Sequence, residues 1–453
     1  MTQSDADRMR RDVSPKLSIW QILSYGSLML PLSMGWVTLM MIVPTYYALD
    51  LGLGLGLVGV LFAIGRGFDI ITDPTVGILT DRTRTRFGRR KPWVILGLPL
   101  FCCAVYLLLK QTDSVTPLYL LLVSCLYFFS FTICEIPQAA MGLEMSEDPH
   151  ERTVLASSKT LFLILGGLIG AAAPLIWTES TSQALSNVVT LIFIVSIIVM
   201  PIYLWLMPSD IASNRLPQPK LRAALKALRG HHEIQKIIGT FFILITAKSF
   251  GGALSLLYIT YVLEMPKLVG LFWIGSGLGM LVGIPLWIIL SRHIGKIRTW
   301  RIATLLGICG YVALLFLGVG DKVPMFIVSL ILGVSGVADS VLSVSLLADQ
   351  IGRGRRQGQP EFAGLVTAIK NASSKLSITF PMLIAFPILG FIGLTEGTAS
   401  IGTSLRPVET HDRVILVGFY AGIPLLLKIA AYFAIGTLAA GKSNSHESLQ
   451  PKS

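Results

Sequence analysis

The sequence predicts an all-α membrane protein with twelve transmembrane helices in two pseudo-symmetric six-helix halves. Three observations carry that expectation. Hydrophobic residues make up 53% of the 453 residues and charged residues only 14%, where a soluble domain carries about a quarter charged. Twelve apolar stretches follow one another, each about the 20 residues that cross a hydrocarbon core or longer. The joints between them alternate between strongly basic and almost uncharged, as they do when loops lie by turns on the cytoplasmic and outer sides.

In order, the expected spans are 19–49, 56–80, 92–110, 116–145, 153–178 and 185–208, then 234–263, 267–291, 300–320, 323–351, 361–394 and 413–440. All are helical, because backbone groups in lipid must satisfy one another. Several exceed the minimum length, which implies tilt or extension beyond the bilayer. The basic joints are Arg82 to Lys91, Arg292 to Arg301 and Arg353 to Arg356, with Arg215, Lys220, Arg222, Lys226 and Arg229 in the central one. Gln111 to Ser114 and Thr178 to Gln183 hold no Lys or Arg. Both termini are therefore expected in the cytoplasm and the protein in the plasma membrane, a bacterial inner membrane, as a multi-pass chain.

The expected domains are an N-terminal bundle over 1–207, a cytoplasmic central linker over 208–233, a C-terminal bundle over 234–440 and a cytoplasmic tail over 441–453. Within the linker, LRAALKALRG reads equally as a short surface helix or a solvated joint. The halves echo each other. ILTDRTRTRFGRRKPW closes span two and IILSRHIGKIRTW closes span eight. Such internal repeats place substrate sites near the midplane between halves.

Other classes fit less well. The formal charge of +12 sits in short loops, so it reads as topology rather than nucleic-acid binding. Cys102, Cys103, Cys125, Cys134 and Cys309 lie in apolar spans without CxxC spacing, and the histidines lack ligand spacing. Neither disulfides nor a resident metal is expected. Met1 to Lys16 is polar and the first apolar stretch is too long for a signal peptide. No catalytic set appears in the spans, so no enzyme and no cofactor are expected.

The most informative stretch is RGFDIITDPTVGILTDRTRTRFGRRKPW, Arg66 to Trp93. Asp69 and Asp73 are four residues apart and share a helix face, with Arg66 three residues earlier on the same side. Counted from Gly56, Asp69 lies roughly 20 Å along the helix, more than halfway across the core. Intramembrane carboxylates are costly and face a cavity or a partner, so the pair is a candidate cation site. A purely structural acid pair that holds Arg66 or a lysine is the competing reading.

DRTRTRFGRR resembles the cytoplasmic signature of the major facilitator superfamily. The longer pattern of Arg66, Asp69, Asp73, Pro74, Gly77, then Thr85, Arg86, Gly88, Lys91, Pro92 and Trp93, resembles the glycoside–pentoside–hexuronide:cation symporters, the melibiose permease-like family. The resemblance extends from about Leu23 to Leu394. It implies a major facilitator fold and a secondary transporter driven by Na⁺ or H⁺. By the same resemblance the cation ligands are Asp69, Thr72, Asp73 and Thr132. Two carboxylates with hydroxyls favour Na⁺, although a carboxylate alone suffices for H⁺. Arg66, Glu135, Lys159, Lys375 and Tyr25 fall at substrate or coupling positions, and Asp81, Arg82, Arg86 and Gly88 at a gate. Pairing within the bundle competes for Glu135, snorkelling for Lys375 and packing for Tyr25. Lys370 is the lysine expected to snorkel, and Asp349 is expected to meet the cytosol near Arg353 and Arg355. Asp339, Lys248, Trp36 and Tyr46 are weaker candidates.

The departures concern the sugar site. The aspartate that sugar-transporting relatives carry on span one falls at Ser33, their span-four tryptophan at Ala139 and their span-five arginine near Thr160, beside Lys159. The expected partners are a small organic solute, of the sugar or glycoside type, and membrane lipid, with the chain a monomer and no nucleic acid bound. A lysolipid-like amphiphile is the alternative cargo, because the lysophosphatidylcholine symporters share the acid pair and the lysine.

Overall fold

The computed structural model describes residues 17–110, 115–146, 148–176, 181–208, 231–356, 363–391 and 410–447. Twelve of its helices are long and apolar enough to cross a membrane. In the first half they are α1 (Ile19–Met41), α2 (Leu55–Arg82), α3 (Lys91–Leu109), α4 (Pro117–Glu144), α5 (Pro149–Ile176) and α6 (Thr181–Leu206). The second half holds α7 (His232–Tyr261), α8 (Val269–Ile294), α9 (Lys296–Leu314), α10 (Lys322–Arg356), α11 (Ala363–Phe391) and α12 (His411–Leu438). The central joint over 209–230, with its basic residues and LRAALKALRG, lies outside the described residues, as do 111–114 and 177–180.

Neighbour relations repeat with an offset of six helices. The pairs α1–α5, α2–α4, α3–α4 and α3–α6 recur as α7–α11, α8–α10, α9–α10 and α9–α12. The halves meet through α2 on α11, α5 on α8 and α1 on α7. The α2–α11 contact is close because Gly59 has no side chain. A Cβ there would overlap the carbonyl oxygen of Met382. Near the start of α2, Gly56 lies against Pro387 and Gly390. That end of the bundle is shut, whereas the second part of α2 packs on α4 of its own half. Among the described residues, Lys375 alone makes ion pairs across to that part of α2.

Two local features depart from the expected spans. Helix α2 is interrupted at Phe68, so Asp69 opens a second segment that runs to Arg82. A carboxylate in the first turn of a segment is favoured by the exposed amide ends. Pro74 adds a missing donor one turn later. Second, Arg292 to Arg301 is no loop. Helix α8 runs through Arg292 and His293, Gly295 turns the chain at φ +85°, and α9 begins at Lys296. Basic residues in the last turn complement a helix C-terminus, and glycine takes the left-handed position that ends it. A positive cluster therefore marked helix ends here.

Candidate cation and substrate site

Asp69 and Asp73 project from the second segment of α2 toward α4 and α11. Asp69 is fully buried, while Asp73 is 28% and Lys375 18% exposed. Arg66 forms an ion pair with Asp69 Oδ2. Its guanidinium stacks between Trp36 of α1, 4.9 Å away, and Phe128 of α4, 5.2 Å away. These rings hold a buried cation without adding negative charge. From α4, Thr132 Oγ1 lies 3.0 Å from Asp73 Oδ1 and 3.4 Å from Asp69 Oδ1. From the other half, Lys375 Nζ donates to Asp73 Oδ2 and lies 3.4 Å from Asp69 Oδ2.

The set is thus two carboxylates, one guanidinium, one ammonium and a hydroxyl. Its charges balance without any bound ion. A cation entering among the oxygens must compete with Lys375, the cation on the more exposed side. Because Lys375 belongs to α11, that competition acts on the contact between the halves.

The remaining sequence candidates lie at varying distances from this set. Thr72 is buried, but its hydroxyl donates to Phe68 O at 3.3 Å, within its own helix. Glu135, one turn after Thr132, pairs with Lys159 of α5 at 3.5 Å. Tyr25 is 3% exposed and its hydroxyl packs against Gly142, while Gln138 donates to its carbonyl at 2.6 Å. It is a helix α1–α4 contact away from the acids, and Trp36 is the α1 aromatic that reaches the site. Ser33 donates to Leu30 O at 3.2 Å and abuts Gly166 of α5, where even a Cβ would overlap it.

At the basic loop, Asp81 meets Arg90 at 2.9 Å. Arg90 is 3% exposed and also binds Glu144 of α4 at 2.8 Å and Thr80 Oγ1 at 2.9 Å. Arg82 and Arg86 are exposed, Arg86 lying over Phe87. Gly88 is buried, and its carbonyl accepts from Thr85 at 2.9 Å. The arginine that ties α2 to α4 is therefore Arg90. Asp349 is partly exposed and pairs with Lys296 at 2.7 Å; the side chains of Arg353 and Arg355 lie outside the described ones. Lys370 lies over the Phe241 ring at 4.6 Å and is half-buried, so it does not snorkel free.

One charged pair was missed by sequence reading. Lys428 of α12 binds Asp339 of α10 at 3.0 Å, both nearly fully buried. A lysine in the middle of PLLLKIAAYF was the available signal.

Similarity to known proteins agrees with this architecture. A family model described as MFS/sugar transport protein matches residues 24–438. This chain belongs to that family. Relatives of this MFS/sugar transport protein include the inner membrane symporter YicJ of Escherichia coli, 24% identical over 72% of this chain and 73% of the relative. The glucuronide carrier protein homolog of the same organism is 24% identical over 83% and 84%. The sodium-dependent lysophosphatidylcholine symporter 1-B of Danio rerio is 34% identical over 25% of this chain and 22% of the relative. These place the chain among the glycoside–pentoside–hexuronide:cation symporters. A bacterial homolog of the human lysosomal transporter Spinster, in an inward-facing conformation, shares the fold with a TM-score of 0.65 and 13% identity over 94% of this chain and 96% of that one. The protein is a multi-pass membrane transporter of the major facilitator type, not an enzyme.

Proposed function

We propose that this transporter couples the entry of Na⁺, or of H⁺, to the uptake of a small sugar-like solute. The observation that carries the reading is Lys375, which reaches from one half to both carboxylates of the other. In this account the cation binds Asp69, Asp73 and the Thr132 hydroxyl and releases the Lys375 ammonium. That loosens α11 from α2 and lets the halves rock about the midplane. Solute and cation then favour each other's binding by equal factors. One charge moved across 100 mV supplies about 2.3 kcal/mol, roughly 50-fold accumulation.

The Gly59 contact shuts the bundle at the face opposite the basic loop. With that loop in the cytoplasm of a plasma membrane, as the charge distribution supports, the state is inward-facing. A cysteine at exposed Arg84 (Arg84→Cys) is then expected to resist an impermeant thiol reagent applied to intact cells. It should react once the cells are opened; labelling from outside would reverse the orientation.

A second cargo has one observation in its favour. Ser33, packed against Gly166 in the α1–α5 contact, stands where sugar-transporting relatives carry the span-one aspartate. A lysolipid-like amphiphile needs no such acid. The deciding assay is uptake into proteoliposomes of a radiolabelled methyl glycoside and, in parallel, of a lysophospholipid. One of them should accumulate above its outside concentration under an inward Na⁺ or H⁺ gradient. Uptake that is equal with and without either gradient would refute coupling.

A further inference from the structure

The second half holds charged groups that the α2 site does not use. Asp339 is fully buried and its carboxylate is occupied, by Trp300 Nε1 at 3.1 Å and Lys428 Nζ at 3.0 Å. Lys428 also reaches Ser335 Oγ at 3.2 Å. That pair is closed. Lys248 of α7 stands beside it. Its side chain lies along Gly336 of α10, where an added Cβ would be 3.8 Å from Nζ. Among the described residues Lys248 has no ion pair and no hydrogen bond for its ammonium. Asp339 attracts it from beyond ion-pair distance and Lys428 repels it.

Lys248 is half-buried. Its depth matches that of the acid pair. Lys248 is about 20 Å from the end of α7 at Tyr261, and Asp69 about 21 Å from the start of α2 at Leu55. The start of α2 and the end of α7 lie at the same face of the bundle.

The charges do not balance across the two sites. Arg66, Lys159 and Lys375 offset Asp69, Asp73 and Glu135 in the first site. In the second, Lys428 offsets Asp339 and Lys248 is left over. An uncompensated ammonium at mid-depth is costly in a membrane protein and marks an ion or substrate path. Its complement is an anion.

We infer that Lys248 is an anion subsite, and that the transported solute carries a carboxylate, sulfonate or phosphodiester group that docks on it. The rest of the solute extends toward the α2 site in the other half. This deepens the proposed function only in taking the space between the halves as the solute path; it does not depend on which cation is coupled. A solute bound at both ends spans the halves, and its negative group cancels the charge that Lys248 would otherwise keep at mid-depth.

The test is thermal unfolding of the purified full-length protein in detergent at fixed Na⁺. The probes are phenyl glucuronide against phenyl glucoside, lysophosphatidylglycerol against monoacylglycerol, and sodium sulfate. The anionic member of at least one organic pair should stabilise the protein while its neutral twin does not. Lys248→Met should weaken that binding at least tenfold and Lys248→Arg should keep it; Lys248→Gln replaces the methionine variant if that one does not fold. Absence of any anion response in the unmodified protein would overturn the inference. Equal responses in the unmodified and Lys248→Met or Lys248→Gln proteins would overturn it too. A Lys248-dependent response to sulfate alone would mean a free inorganic anion and would overturn the solute assignment. Because binding is read without an ion gradient, these outcomes are separate from failure of cation coupling.

Discussion

The Asp73→Asn protein is expected to fold, insert and fail to bind the coupling cation. Asparagine has nearly the volume of aspartate, and a neutral amide is easier to keep in the bundle than a carboxylate. The change removes half of the negative charge of the Asp69–Asp73 pair. Lys375 then retains Asp69, 3.4 Å away, as its acidic partner. Arg66 already holds that carboxylate, so the site carries an excess positive charge and repels an entering cation. Truncating one member of a buried charged pair costs about 2–5 kcal/mol, which corresponds to a loss of more than about 30-fold in affinity. Titration calorimetry with Na⁺ and Li⁺ checks it; unchanged affinity would remove Asp73 from the cation site.

Breaking the other buried pair should act on stability. Lys428→Met is expected to destabilise the protein by about 3–5 kcal/mol, because Asp339 would remain as a buried carboxylate without its ammonium. Trp300 would be its remaining hydrogen-bond donor, and Lys248 lies beyond ion-pair distance. Combining Lys428→Met with Asp339→Asn should recover most of the loss. A neutral amide keeps an acceptor for Trp300 and no longer needs a counter-charge. Unfolding midpoints of the two single variants and the double variant measure this coupling directly. A Lys428→Met protein as stable as the unmodified one would contradict the account of the pair.

Much of the fold was legible because the bilayer imposes a length and a polarity on every span. Twelve apolar stretches give twelve helices. The limits of charge reading appear at Gly295. Lys and Arg stabilise helix ends as readily as they fill loops, so the cluster at Arg292 to Arg301 carried no information about where α8 ends.

The candidate site was legible in part for a different reason. Asp69 and Asp73 stand out as acids at intramembrane depth, and their spacing on one helix face follows from the period alone. Lys375, 302 residues away from Asp73, was reached through family resemblance, since no local pattern states a contact across the halves. The Lys428–Asp339 pair shows what was missed when two isolated charges, 89 residues apart, were not matched. Tyr25 shows the reverse error source. An aromatic in an apolar span carries no mark of whether it faces a cavity or Gly142. Arg90 could not be told from Arg82 or Arg86 by composition, because burial against Glu144 decided between them.

The central claim is that the α2 acid pair couples the cation to solute movement. Uphill uptake into vesicles by the unmodified and Asp73→Asn proteins, under the same imposed cation gradient, tests it most directly. The account predicts that the unmodified protein accumulates solute above the outside concentration, while Asp73→Asn stops at equilibration or below. Undiminished uphill accumulation by Asp73→Asn would contradict it.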